Sequence, residues 1–447
     1  MRGDAGSDRF AALVARKKKI AILGAGPAGS SMAIQLVDRG VDPGDLLILD
    51  KARFPRPKLC GGGVTFRGTE ILGRLLGADT ASLGLTTREL EFVSSAGRPF
   101  PVRERGPQWV FDRSVLDARL LAAAKSRGVE VREECTVTEL SPGTEGWRVR
   151  MGDVTETYDW VLGCDGATGL SRRASGLRGG LTGRLVEAVF ERTSSAARTD
   201  TLYFDFDPIL DGIPGYAWIF PYADPDAPGV ERFKLGVMDG RGRASGEALR
   251  KWTQGYAERQ GFRCLEAKVA GFPERYFHPS AESHRPGLAL VGEAFGIDPL
   301  LGEGIAPALF HAEHVAEHLM RALHRGDAHL PGIDAAFRRS DEGWNLWLQW
   351  HLAERLYGRH PLRWLHILFD MAHLRELAGK GEDAYGRLSR RVPSLLAHFS
   401  WQVLRRGLPA IDPALVRTRA HAMSQDATNQ GAMKPPNESP TSLEAET

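Results

Sequence analysis

Residues 19–29 read KIAILGAGPAG, the first place where residue types and spacing together could serve a chemical purpose. Gly24, Gly26 and Gly29 satisfy GxGxxG directly after the apolar run 20–23, and 29–36 continue as a predicted helix. In that arrangement Gly24 permits the tight turn, Gly26 admits a pyrophosphate against the backbone, and Gly29 lets helix pack on strand. The helix N-terminus then presents free N–H groups to the phosphates. The apolar run 46–49 ends at Asp50, 21 residues past Gly29, where a ribose-binding acid is expected about 20 residues on. An Asp there favours a free 2′-hydroxyl, which suits NAD or the adenosine end of FAD.

Three later stretches have the same flavour. FPRPKLCGGG, at 54–63, sets Cys60 beside Gly61, Gly62 and Gly63, so that a backbone can run against a flat ligand with a thiol facing it. A flexible turn around a buried thiol is the competing reading. GCDGATGLSRR, at 163–173, puts Asp165 between glycines before a basic helix start, where an ordinary strand-to-helix turn competes. The buried run 288–291 enters a loop bearing Gly292, Glu293, Gly302, Glu303 and Gly304, and the loop opens into a long helix. Backbone N–H groups at that helix start can face the N1 and C2 carbonyl edge of an isoalloxazine and stabilise the charge gained on reduction. Tyr216, Trp218 and Phe220, at period two, share one face of a predicted strand. His314 to His318 spells the H-x-x-E-H pattern, but a flavin already accounts for the loop before it and no third ligand is indicated, so no metal is expected.

The elements that must position these residues follow from periodicity. Strands are expected at 20–23, 46–49 and 160–163 for the nucleotide unit, with a helix over 111–128 from Asp112 to Gly128 and short strands at 129–131, 136–140 and 147–150. Strands at 90–93, 99–102, 188–191, 202–206, 217–220 and 233–237, a helix over 244–260 and a closing segment at 268–277 suggest a separate antiparallel sheet. Beyond Gly332 the chain is helical and aromatic, and half of its ten tryptophans lie past residue 340. Core packing accounts for them, and an apolar tunnel wall or membrane-surface patch is the sharper alternative.

Bulk properties set the class. The 447 residues allow two domains and a helical extension, and 42% hydrophobic with 26% charged residues is ordinary for a globular enzyme. A net charge of +2 suggests no nucleic acid partner. Four cysteines without CxxC spacing, no signal sequence in 1–18 and no run of 18 apolar residues lead us to expect a cytoplasmic protein.

The order glycine loop, GD-like turn, then GE-loop-GEG resembles the FAD-dependent superfamily of aromatic hydroxylases, halogenases and geranylgeranyl reductases. FPRPKLCGGG is similar to the cysteine-glycine loop of the geranylgeranyl reductase family, and PGYAWIFP at 214–221 resembles its PxxYxWxFP cavity motif. The pattern covers about residues 19–320, with Gly292-Glu293 departing from the family's Gly-Asp by one methylene. The resemblance implies an α/β chain with a Rossmann-like FAD-binding domain in three pieces (18–85, 106–180, 279–330) and an antiparallel-sheet substrate domain in two (86–105, 181–278). A helical C-terminal region (331–423) and a disordered tail (424–447) complete it.

The cofactor set so implied is Gly24, Gly26, Pro27, Ala28, Gly29, Asp50, Lys51, Lys58, Cys60, Gly61, Gly62, Arg113, Asp165, Gly292, Glu293, Gly302, Gly304 and Ile305. Tyr216, Trp218 and Phe220 would bind substrate, with Cys60, Tyr216 and Trp218 as catalytic candidates. The implied reaction reduces isolated double bonds of a prenyl chain. FAD would be reduced by transient NAD(P)H, since no second GxGxxG follows a strand, or by an electron-donor protein. Peripheral membrane contact would fit such a substrate. The alternative on the same fold is an FAD-dependent monooxygenase or halogenase acting on an apolar or aromatic small molecule.

Overall fold

The computed structural model describes residues 19–377, apart from 103–105 and 267–268. The expected helical region past 377 and the polar tail lie outside the described residues. Ile20–Leu23 sits at the centre of a six-stranded sheet, paired in parallel with Leu46–Leu49 on one side and Trp160–Gly163 on the other. Glu130–Arg132 and Leu288–Leu290 extend it in parallel, and His284–Arg285 closes one edge antiparallel. The central strands are apolar throughout because both faces are covered. Ile20, Ile22, Leu46 and Ile48 face the helices Pro27–Asp38, Arg113–Ser126 and Ile305–Arg325. Ala21, Leu23, Leu47 and Leu49 face Trp147, Val149 and Tyr158 of a three-stranded meander. Each large aliphatic side chain so buried stabilises the fold by about 1.5–3 kcal/mol.

The second sheet takes strands from two separate stretches of chain. Glu89–Val93 and Phe100–Val102 join Thr182–Arg192, Thr201–Asp205, Gly215–Tyr222, Arg232–Asp239, Phe262–Cys264 and Ala270–Arg275. Its pairings are antiparallel except where Thr201–Asp205 meets Glu89–Val93. Along Gly215–Tyr222 the period of two divides the strand. Ala217 and Ile219 pack under the helix Gly246–Arg259, whereas Tyr216, Trp218 and Phe220 face the other way with Phe204, Leu202 and Met238.

Several expected boundaries shift. The first helix begins at Pro27, whose missing N–H is no loss at the first helical position. The helix expected from Phe111 starts at Arg113, because Phe111 ends the strand Gln108–Phe111 and Asp112 caps the helix through Ser114 N–H at 2.8 Å. Val154–Tyr158, a polar edge strand, and the helix Phe66–Leu76 were not expected. Gly68 and Gly73 weaken the helical signal of the latter, and Gly68 is there because a Cβ would run into Val64 and Ala306.

The helices Ile333–Arg339, Asp341–Leu356 and Pro361–Leu377 follow. Trp344 and Trp347 stack on each other at 4.7 Å, and Trp350 meets His278 edge-on. Trp350 borders a pocket that it shares with Phe277, His278 and Ala353. Tyr357, Leu365 and Phe369 instead pack into the apolar cluster behind the aromatic face of the second sheet.

Candidate functional site

Three loops converge at the C-terminal ends of the central strands. Gly24 has φ +98° and leaves no room for a Cβ beside the Cys164 carbonyl, and a Cβ on Gly29 would strike the Gly24 carbonyl oxygen. Gly26 is different: the nearest atom to a Cβ there is Arg56 Nη2 at 3.7 Å, so the space above it is open. Asp50 reaches the same turn, accepting from Ala25 N–H at 2.7 Å and Ala52 N–H at 2.8 Å, while Lys51 beside it is exposed. Gly292 has φ +63° and lies against Ala28, which joins the third loop to the first. Asp165 accepts from the Ser171 N–H at 2.9 Å and from its hydroxyl, so its carboxylate is spent on the start of the helix Leu170–Ser175. Burial pushes that carboxyl up, against the pull of Ser171.

The helices Pro27–Asp38 and Ile305–Arg325 start at Gly26 and Gly304 without a side-chain cap. Their first N–H groups and dipoles therefore point into the cleft. An open surface over Gly26 together with these two helix ends fits the pyrophosphate and the isoalloxazine edge of FAD.

The cysteine-glycine loop departs from its expected use. Gly61 and Gly63 lie against Phe220, with Trp218 Nε1 3.4 Å from a Cβ at 61, and Gly62, at φ +81°, lies against the Phe111 carbonyl. The glycines are thus required by close packing on the aromatic face, not by a ligand alone. A buried pair the sequence reading missed holds this loop. Glu187 accepts from Cys60 N–H at 3.1 Å and from Trp218 Nε1 at 3.0 Å, and Lys234 Nζ donates to the Cys60 carbonyl at 3.1 Å. Gly236, opposite both Glu187 and Trp218 in the sheet, leaves the space the indole occupies. Lone charges at inward positions of otherwise apolar strands were the available signal. Cys60 Sγ accepts from Gly62 N–H at 3.4 Å, and Arg113 lies near enough to interact with it electrostatically. Arg113 is itself fixed to the fully buried Asp117 at 2.7 and 2.9 Å, with Arg56 at 3.3 Å.

Between this loop and the turn before Ile305 lies a cavity of about 920 Å³, counting its open mouth. Cys60, Tyr216, Trp218, Phe220, Phe204, Glu274, Gly302 and Ile305 are among its lining residues. It thus brings the cysteine loop, the aromatic triplet and the late glycine turn to one space. Tyr216 is tied down, its hydroxyl donating to the Leu301 carbonyl, and burial pushes it well above the usual tyrosine range. Lys58, in the loop, sits over the Phe272 ring at 2.8 Å, and burial lowers its ammonium to about 8 against the attraction of Glu293. Burial in turn raises Glu293, whose Oε2 points at Gly166, with Lys58 and Arg113 opposing the shift.

Of the H-x-x-E-H segment and its neighbour His311, it is His311 that touches the site. It is buried, stacked on Phe295, and its Nδ1 accepts from Gly292 N–H at 3.3 Å. Burial, then His314, holds it well below the usual imidazole range. Its folded value lies below the unfolded one, so the unfolded chain takes up the proton first. The neutral ring's contribution is present above about pH 6.5 and is lost as pH falls from there toward the folded value, by about 1.4 kcal/mol per unit. Denaturant midpoints measured from pH 7.5 downward should therefore fall less steeply in His311→Asn, which keeps an acceptor but no titrating group. Equal slopes would show that His311 takes up its proton alike in the folded and unfolded chain.

Residues 17–203 match the FAD binding domain family. The chain is 28% identical over 332 residues to digeranylgeranylglycerophospholipid reductase 1 of Methanopyrus kandleri, covering 69% of this chain and 82% of that one. It is 26% identical over 306 residues to menaquinone reductase of Mycolicibacterium smegmatis, covering 64% and 72%. Among solved structures, a geranylgeranyl bacteriochlorophyll reductase-like protein of Thermoplasma acidophilum superposes with a TM-score of 0.67 at 17% identity, covering 84% and 98%. The flavin-dependent brominase Bmp2 does so at 0.65 and 15%, covering 92% and 100%, and both likenesses speak for the fold. The fold, the glycine cleft and the family match make this chain an FAD-dependent oxidoreductase. Within that class it is geranylgeranyl reductase-like.

Proposed function

We propose that the protein reduces isolated carbon–carbon double bonds of a prenyl chain. One observation carries this: the cavity is walled by Tyr216, Trp218, Phe220, Phe204 and Leu202, and this apolar wall abuts both the cysteine loop and the turn before Ile305. The names of the prenyl-lipid reductases among its relatives agree with such a substrate. Bound FAD, once reduced by a visiting NAD(P)H or a donor protein, would supply the hydride. The chain's part is to align an alkene that offers no carbonyl to polarise, and to keep water out. Trp218, held by Glu187 and seated on Gly236, is the rigid portion of that wall, with Tyr216 and Phe220 on either side. Cys60 and Arg113 border the flavin end. A prenyl lipid would be drawn from a membrane surface by a protein in which, among the described residues, no helix is long and apolar enough to cross one.

The cofactor roles are tested at Glu293. Glu293→Ala should loosen FAD by about 1.5–3 kcal/mol, the worth of a hydrogen bond to a charged group, whereas Glu293→Asp keeps or tightens it. Flavin-fluorescence titration measures both, and one affinity for all three proteins would remove Glu293 from the site. The reaction is tested by single-turnover reoxidation of anaerobically reduced enzyme with a panel of prenyl lipids. Trp218→Ala should slow it by roughly 100-fold through lost alignment, with FAD content unchanged. If no prenyl lipid reoxidises the wild-type flavin without oxygen, while a small aromatic with oxygen is hydroxylated or halogenated, the protein is a monooxygenase or halogenase instead.

A further inference from the structure

The strand Ala270–Arg275 turns alternate side chains toward the cavity. Phe272 packs against the cavity-side cluster, Tyr276 just past the strand is buried in it, and Glu274 lies between them. Glu274 lines the cavity with Cys60, Trp218 and Tyr216, and its Oε2 stands 2.9 Å from where a Cβ on Gly302 would be. A carboxyl among aromatic side chains at the glycine turn is an expensive arrangement with no evident packing purpose.

The other titratable groups lining the cavity are each tied by hydrogen bonds to the backbone of its loops. Asp298 accepts from Leu300 N–H at 2.7 Å and Leu301 N–H at 3.1 Å, Glu303 accepts from Thr65 N–H at 3.1 Å, Tyr216 donates to the Leu301 carbonyl, and Cys60 Sγ accepts from Gly62 N–H at 3.4 Å. Glu274 has the Tyr276 hydroxyl at 3.5 Å, the far limit of a hydrogen bond. Resting on the prenyl-reduction assignment, we propose that Glu274 is the proton donor to the alkene.

Each double bond reduced takes up one hydride and one proton. The π bond breaks, and the hydride pair from the reduced flavin makes one C–H bond. The π pair makes the second with the proton of Glu274, whose O–H bond breaks and leaves a carboxylate that water reprotonates. The donor must be neutral beforehand, and the surroundings favour that. Burial and then Glu293 hold the Glu274 proton well above the usual carboxylate range; Lys58 opposes them, and Asp298, Tyr276 and Tyr216 are the other titratable groups facing it.

The test uses full-length protein with FAD bound. Glu274→Gln keeps the shape and removes the acid, so prenyl-lipid reoxidation of the anaerobically reduced enzyme should slow by about 100-fold at unchanged FAD content, with Glu274→Asp in between. A second readout needs no turnover: the infrared difference between oxidised wild type and E274Q at neutral pH should contain a protonated-carboxyl carbonyl band that shifts in deuterium oxide. Wild type that reduces a prenyl lipid while E274Q keeps its rate overturns the proposal and leaves the assigned function standing. Wild type that reduces none overturns both. Absence of the carboxyl band overturns proton donation by itself, and if E274Q does not fold, the Glu274→Asp rate compared with wild type decides.

Discussion

Gly26→Val is expected to give a folded protein without FAD, and Gly29→Val a protein that does not fold. The two glycines are three residues apart in one motif, yet their surroundings are opposite. At Gly26 the backbone is extended, with φ −71° and ψ −171°, and a Cβ meets nothing closer than 3.7 Å. Valine is at home there until a pyrophosphate must occupy the same space. At Gly29 any Cβ collides with the Gly24 carbonyl, and the helix would have to lift off the central strand. Flavin absorbance after purification and circular dichroism separate the cases. For Gly26→Val, FAD affinity should drop by at least about 100-fold, roughly 2.7 kcal/mol, with helix content retained. A yellow, fully loaded Gly26→Val protein would sink the placement of the dinucleotide.

Glu187→Leu should be the most damaging single change in the second sheet. It strips the acceptor from Trp218 Nε1 and from Cys60 N–H, while Lys234 keeps its ion pair with Asp112 at 3.8 Å. Leaving two buried N–H donors without an acceptor costs about 1–3 kcal/mol each, a large share of the roughly 5–15 kcal/mol that holds a domain together. Glu187→Gln keeps an acceptor and should lose about 1–3 kcal/mol. The cysteine loop should loosen before the sheet does, because its backbone N–H and carbonyl are tied to Glu187 and Lys234. Denaturant midpoints give the energies, and the rate at which a thiol reagent labels Cys60 gives the loop. If Glu187→Leu is as stable as wild type and labels no faster, the pair does not anchor the loop.

Much of the molecule was legible because it depends on local pattern. The strands 20–23, 46–49 and 160–163 are apolar at every position, as a strand covered on both faces must be. The glycine spacing, Asp50 and the period-two aromatic triplet are likewise fixed by residues close in sequence, and they were enough to point to a dinucleotide and an apolar site. Only the tertiary structure decided what those features touch. It turned the Asp165 carboxylate to Ser171, made Gly61 and Gly63 serve the packing of Phe220, and set His311, outside the H-x-x-E-H pattern, against the Gly292 N–H. It also joined Glu187, Lys234, Trp218 and Cys60, drawn from four separate segments, into one buried network. The physical reason is range. Backbone sterics and hydrophobic periodicity act over a few residues and leave their mark in sequence spacing, whereas the partner of a buried charge is chosen by sheet register and by loops more than a hundred residues apart.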